Sequence, residues 1–388
     1  MELKDHSIRA IITDRQQQLD ATLHNISSLE TVIDKINHLH RQMTKQKKKI
    51  ISSITLHKRL VSPLWRMPTE VLSHIFVHCL PEDKYLSPAS KLTLVLLTRI
   101  CRRWREVAVG TPSLWCRLKV PFVLRTLLEL PFCLDLWLKR SRGCLLSLQL
   151  TCCTLSGWQS TELRSLLQPY TNQISSFSIR CRLGPNQLDP LLKDLPALQE
   201  LIIIDGSVTE QCFSRLPPTL SNFKFSGLRF ELDPLLSYKS VWANLTNVEI
   251  PIHRPDAVLD LLQLCFNLCS LAIHVRSNGI GIFEPLVHIK IQSLRIIVES
   301  SSYIHIDHST SDPLPGLLNA LALPKLRTLE VHCVSWPHKE FKSFLTRSNC
   351  PLETVILGAE VKMRRKQRAE CDALVPSLEV LVSESEES

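Results

Sequence analysis

The chain has 388 residues, 44% of them hydrophobic, which suits two or three domains with a sizeable core and excludes wholesale disorder. It has no run of 18 or more apolar residues and starts on the polar MELKDHSIRA, so neither a membrane span nor a signal peptide is expected. The net charge of +9 is uneven: residues 1–66 carry 12 Lys+Arg against 6 Asp+Glu, leaving +3 for the other 322 residues and little case for a nucleic-acid groove in the main body. Fourteen cysteines without an export signal read as reduced thiols acting as small buried hydrophobes, in a cytoplasmic and/or nuclear protein. Only 10 glycines are present, which argues against phosphate-cradling loops.

From Ile8 to Ile54 apolar residues recur with a seven-residue period. Ile12, Leu19, Ile26, Ile33 and Ile54 fall on one register; Ile8, Leu29, Ile36, Met43 and Ile50 fall on a second. A 3.5-residue period places both along one seam of a helix, as in a coiled coil. Arg15, Thr22, His40 and Lys47 interrupt the seam, so any self-association through the arm is weak. A dimer, an intramolecular helical hairpin and an amphipathic helix folded onto the body all remain open at this point. The run Lys45–Lys49 reads as a solvated face.

Residues 64–118 hold a compact apolar surface on short helices. Pro68 pre-sets φ for a first turn and Glu70 suits the positive end of the helix dipole. Val71, Leu72, Ile75, Phe76 and Leu80 follow at helical spacing; a second apolar run, Leu92–Ile100, leads into Cys101-Arg102-Arg103-Trp104-Arg105, and Thr111-Pro112-Ser113-Leu114-Trp115 closes the segment. This is more apolar surface than a three-helix unit buries internally, which points to a partner.

These residues resemble an F-box: Leu64, Met67-Pro68, Glu70-Val71-Leu72, Ile75-Phe76, Cys101-x-x-Trp104-Arg105 and Thr111-Pro112-x-Leu114-Trp115 occur in the family's order. Met67 stands where the usual residue is Leu, a volume-conserving swap. The connection Pro81–Lys91 is longer than the common one. The form is similar to one abundant in mushroom-type fungi that often carries an N-terminal coiled coil. The resemblance implies a Skp-type adaptor as partner, a cullin through it, and Leu64, Pro68, Val71, Leu72, Ile75, Phe76, Leu114 and Trp115 as the adaptor-binding set. Trp104 is expected inside the bundle.

From residue 145 the chain repeats an apolar-x-x-apolar-x-apolar pattern. The copies are Leu145/Leu148/Leu150, Ile174/Phe177/Ile179, Leu198/Leu201/Ile203, Leu220/Phe223/Phe225, Leu245/Val248/Ile250, Leu268/Leu271/Ile273, Ile291/Leu294/Ile296, Leu326/Leu329/Val331 and Leu352/Val355/Leu357, with a weaker tenth at Leu378/Leu381. Middle positions are 29, 24, 22, 25, 23, 23, 35, 26 and 26 residues apart, mostly within the window of leucine-rich repeats. The period-2 core of each unit suits a short strand, and Thr161–Leu167, Pro255–Leu264 and His338–Thr346 read as intervening helices. The pattern resembles a degenerate cysteine-containing leucine-rich-repeat solenoid, with Cys153 at the consensus Asn/Cys position and Cys181 and Cys333 one residue early. The serine-rich stretch from Ser300 to Pro313 reads as an extruded loop. The resemblance places target-facing side chains on a concave strand face at Arg180, Glu200, Lys224, Glu249, His274, Arg295, Glu330 and His332. Their alternating signs suit a mixed-charge protein surface better than a phosphate backbone.

The sequence carries no His-Glu-x-x-His, Gly-x-Ser-x-Gly, Walker-type loop or Cys-x-x-Cys pair. Gly279-x-Gly281 lacks a third glycine and reads as a turn; Cys152-Cys153 and Cys265-x-x-x-Cys269 lack a second pair at ligand spacing. The basic run Lys362–Arg368 reads as the exposed side of a last outer helix, and Ser383–Ser388 as a frayed acidic tail. The expected architecture is α/β: a helical arm over 1–58, a small all-helical F-box over 59–118, and an irregular solenoid with a parallel sheet over 119–388. The expected role is a non-enzymatic substrate-receptor adaptor without cofactor or metal, binding a protein target. The alternatives are a scaffold using its F-box outside a ligase and a cryptic cysteine enzyme.

Overall fold

The computed structural model of the chain describes residues 2–61, 63–81, 84–86, 94–122, 130–152, 157–180, 188–227, 230–275, 283–298, 312–333, 335–359, 361–375 and 377–380. Most of the Pro81–Lys91 connection, Cys153, Cys181, Gly279–Gly281, nearly all of the serine-rich 300–313 loop, Leu381 and the 383–388 tail lie outside these residues. The chain divides into two compact units, 1–72 and 73–388. The division falls inside the helix Thr69–His78, not at the expected residue 58.

The first unit is dominated by one uninterrupted helix of 60 residues, Glu2–Val61, followed by the short helix Pro63–Arg66. Its lack of glycine and proline leaves nothing to break the backbone ladder. This continuity excludes the intramolecular hairpin. Every described apolar residue of the two registers, from Ile12 to Ile54, is exposed, between 47% and 62%.

The second unit opens with the rest of the F-box segment: the helices Leu94–Ile100 and Arg102–Gly110 and a 3-10 turn, Pro112–Trp115. Cys101 caps the second helix, its sulfur accepting from Trp104 N–H at 3.4 Å. Trp104 is half-buried and packs at a tilt against Phe76, with ring centroids 4.8 Å apart. The segment is not all-helical, because Arg117–Phe122 is a strand, so the expected boundary at 118/119 cuts through it.

That strand is β1 of an eleven-stranded sheet. The others are β2 (Leu146–Cys152), β3 (Ile174–Arg180), β4 (Glu200–Ile204), β5 (Asn222–Ser226), β6 (Asn247–Ile252), β7 (Ser270–Val275), β8 (Ser293–Val298), β9 (Thr328–His332), β10 (Thr354–Leu357) and β11 (Ser377–Val380). All pairs are parallel and the strands follow in chain order, which is solenoid-like. The middle positions of the repeat lie in one row, Leu118, Leu148, Phe177, Leu201, Phe223, Val248, Leu271, Leu294, Leu329 and Val355, which Leu378 continues. The sequence pattern makes Leu378 the first position of its tenth copy and Leu381 the middle one, so the structure corrects that copy by three residues. Leu118 belongs to a copy the sequence reading missed, Trp115/Leu118/Val120, whose first position was absorbed into the F-box motif. In the first counted copy a register shift beside Leu146 makes that residue, not Leu145, the buried one.

Helices cover one face of the sheet, where the row is buried. Phe213, from the helix Glu210–Ser214, meets Phe223 at 5.7 Å, and Trp242, from Lys239–Trp242, meets Phe213 at 4.9 Å. The expected helices appear at Gly157–Leu167, Ala257–Leu264 and His338–Ser348; the last ends on Asn349 in the left-handed conformation, φ 44°. Backbone carbonyls between repeats take two N–H groups each: Ser221 O accepts from Thr246 and Asn247, Thr246 O from Cys269 and Ser270, and Gln292 O from Arg327 and Thr328.

Candidate interaction surfaces

Two surfaces follow from this arrangement, one on the F-box segment and one on the sheet face opposite the helices.

On the helix Thr69–His78 two neighbouring stripes have different fates. Leu72 and Phe76 are at most 1% exposed, while Val71 and Ile75, each one position earlier, are 46% and 37% exposed. Spacing of four residues puts each pair on its own stripe. Leu114 and Trp115 are also buried: Trp115 donates its indole N–H to Ala108 O at 2.8 Å, and Trp137 donates to Trp115 O at 2.8 Å while packing edge-on at 4.9 Å. Four members of the expected adaptor-binding set, Leu72, Phe76, Leu114 and Trp115, are therefore core side chains here. Sequence spacing could not separate them from Val71 and Ile75, since all are apolar and adjacent. Pro68 is exposed, and the side chain of Leu64 lies outside the described residues. Leu96 and Ile100, 46% and 52% exposed on Leu94–Ile100, form a second outward pair that the reading missed; their four-residue spacing inside a continuous apolar run was the only signal.

On the open face of the sheet, the predicted residues fall at the strand positions that alternate with the buried row. Glu200 pairs with Lys84 and accepts from the Ser176 hydroxyl. Lys224 pairs with Glu249 at 2.7 Å, and Glu249 faces His274 at 3.7 Å. Glu330 takes Arg295 at 2.9 Å and His332 at 2.8 Å. Gly358 permits that placement of His332, because a Cβ there would stand 2.6 Å from its Nδ1. Arg180 is exposed at the end of β3. The alternating signs form three clusters on this face, because adjacent parallel strands bring opposite charges within reach of one another. The His274 hydrogen bond, with Lys224 beside it, outweighs burial and pulls the Glu249 carboxyl down to about 2. A hollow of about 230 Å³ lies here, with Ile202 and Ala272 beside Glu200, Lys224 and Glu249.

One end of this face is covered from within the chain. Lys84 reaches Glu200, Tyr85 Oη lies 3.3 Å from Ser176 Oγ, and Leu86 O accepts from Lys119 N–H at 2.8 Å. Residues 84–86 belong to the long Pro81–Lys91 connection, so part of its extra length is a strap laid on β1, β3 and β4. Ser176 and Ser178, on the open side of β3, are 6% and 1% exposed.

Several buried cysteines are shifted away from activation. Burial pushes Cys265 and Cys333 up to about 12, and Cys116, beside Cys144, up to about 12. Cys371 Sγ lies 3.8 Å from His338 Nδ1, yet burial raises its pKa too. Among the described residues no group of three or more His, Cys, Asp or Glu is placed to hold a metal. No described helix is long and apolar enough to cross a membrane.

Residues 64–120 match the F-box-like family model, which covers β1's first residues as well as the helices. No curated protein matches the chain. The protein therefore carries an F-box-like domain, a non-catalytic adaptor module that works through protein–protein contacts.

Proposed function

We propose that this protein is a substrate receptor of a cullin–RING ubiquitin ligase, acting in the cytoplasm or nucleus. The F-box-like segment docks on a Skp-type adaptor, and an irregular leucine-rich-repeat solenoid offers its open face to a protein target. Transfer chemistry belongs to other subunits; tethering raises the effective concentration of a target lysine near the loaded ubiquitin carrier. The observation that carries the adaptor contact is the solvated Val71–Ile75 stripe beside a fully packed Leu72–Phe76 stripe within the F-box match. Apolar anchors of this kind each contribute about 2 kcal/mol or more when a partner covers them.

The test is the double variant Val71→Asp with Ile75→Asp in the full chain. Adaptor binding, followed by calorimetry, should weaken roughly a hundredfold or more while the circular dichroism spectrum is unchanged. A folded double variant that binds the adaptor like the parent would overturn the assignment of this stripe. Charge reversal at both Lys224 and Arg295 should abolish target capture and leave adaptor binding intact. Because both are paired within the sheet, the milder Lys224→Gln with Arg295→Gln should weaken capture in the same direction with unfolding little changed.

A further inference from the structure

The arm helix has two properties that the adaptor role leaves unused. The first is its solvated apolar seam: Ile12, Leu19, Ile26, Leu29, Ile33, Ile36, Met43 and Ile50 are all exposed. The second is a segregation of charge along the same helix. Residues 1–34 contain six acidic and three basic residues, a net −3; residues 35–61 contain eight basic residues and no acidic one, a net +8.

We propose that the seam is covered by the arm of a second copy of this chain, running antiparallel and centred on residue 31. Pairing each residue with the one equally far beyond residue 31 sets Ile12 against Ile50, Leu19 against Met43, Ile26 against Ile36 and Leu29 against Ile33. The seam's polar interruptions then also meet each other. Thr22 falls opposite His40 and Arg15 opposite Lys47, with Asp14 level with Lys48. An antiparallel seam requires the two registers to alternate across the interface, and this centre satisfies that through the whole helix.

An in-register parallel pair would also stack apolar on apolar, so the seam does not choose the direction. The charge does. Like charges meet in the seam either way, Arg15 with Lys47 or each with itself, but antiparallel pairing lays the −3 half of each helix along the +8 half of the other, whereas parallel pairing lays +8 along +8. At a rise of 1.5 Å per residue the helix is ~90 Å long, so the two copies would leave the pair from opposite ends, each followed by its own F-box-like segment.

The experiment uses the full chain. Sedimentation equilibrium should show a dimer, and energy transfer between donor and acceptor attached to the N-termini should be absent, because those termini are ~90 Å apart. Raising the salt concentration should weaken the dimer, since screening removes an attraction. Ile26→Asp with Ile33→Asp should raise its dissociation constant at least a hundredfold without altering the unfolding of the sheet. A monomeric parent, a dimer that survives the double variant, strong transfer between N-termini, or a dimer strengthened by salt would each overturn the proposal.

Discussion

The arm and the sheet are both built on a repeated apolar position, and they end in opposite states. The middle row of the sheet, from Leu118 to Val355, is at most 3% exposed, because each strand's apolar residues are covered by helices such as Glu210–Ser214 and His338–Ser348. The arm's rows are about half exposed over a 60-residue helix. A period of two residues on a strand and of 3.5 on a helix each identify an element and its apolar face. Neither tells whether the cover for that face comes from the same chain. In the sheet the repeat supplies its own neighbour, since a copy about 25 residues further on brings the next strand and helix. In the arm the repeat runs along one helix and supplies none.

The contrast is broken most sharply by truncating one residue of each row. Phe223 is 1% exposed and touches Phe213, Phe230 and Trp242, so Phe223→Ala should cost about 3–5 kcal/mol in denaturant unfolding of the sheet. Ile33→Ala, at a site 54% exposed, should leave that transition where it was. Equal losses at the two positions would mean that the seam is not solvated as described.

A smaller effect is expected on the open face, where charges rather than apolar groups occupy the alternate positions. The Glu249 carboxyl is held down to about 2 by His274 and Lys224, against an ordinary value of 4.5. A depressed carboxylate adds stability that is complete above its unfolded-state pKa and is lost as pH falls through its folded value. The parent should therefore exceed Glu249→Gln by about 2 kcal/mol near neutral pH, allowing for the side chain's partial exposure. The gap should close between about pH 4.5 and pH 2, read from urea unfolding at a series of pH values. A gap independent of pH would assign the loss to shape instead of charge.

Much of this was legible in the residues. Nine of the ten counted copies gave the strand order and the common register, because the distance between middle positions is a chain-length constraint that stacking must respect. The tenth was set three residues late, since Leu378 and not Leu381 pairs with Val355. The arm was legible as a helix for the same reason. The missed copy at Trp115/Leu118/Val120 shows the limit: Trp115 serves both as the end of the F-box segment and as the first residue of a repeat, and pattern reading assigned it once. On Thr69–His78 the difficulty was different. Val71 and Leu72 are adjacent aliphatic residues, and a 100° rotation about the helix axis decides which is core. Composition does not contain that angle's reference direction; packing sets it. The charge clusters on the open face depend on which strands are neighbours, and Lys84 meets Glu200 across 116 positions of sequence.

Lys84 carries the smallest expected energetic effect and the most specific one. Its ion pair with Glu200 is half-solvated, with side-chain exposures of 47% and 22%, so Lys84→Ala should change overall stability by less than about 1 kcal/mol. The strap has a second hold, the bond from Lys119 N–H to Leu86 O, whose protection reports strap opening directly. If the Lys84–Glu200 pair pins the strap, Lys84→Ala should speed hydrogen exchange at the Lys119 amide by up to about fivefold. Exchange at Leu271, in the middle of the buried row, should stay the same, because opening the strap does not open the sheet. Acceleration at both amides would show that the strap is part of the sheet's own cooperative unit. In that case the extra length of the Pro81–Lys91 connection braces the sheet's first strand and does not close one end of its open face.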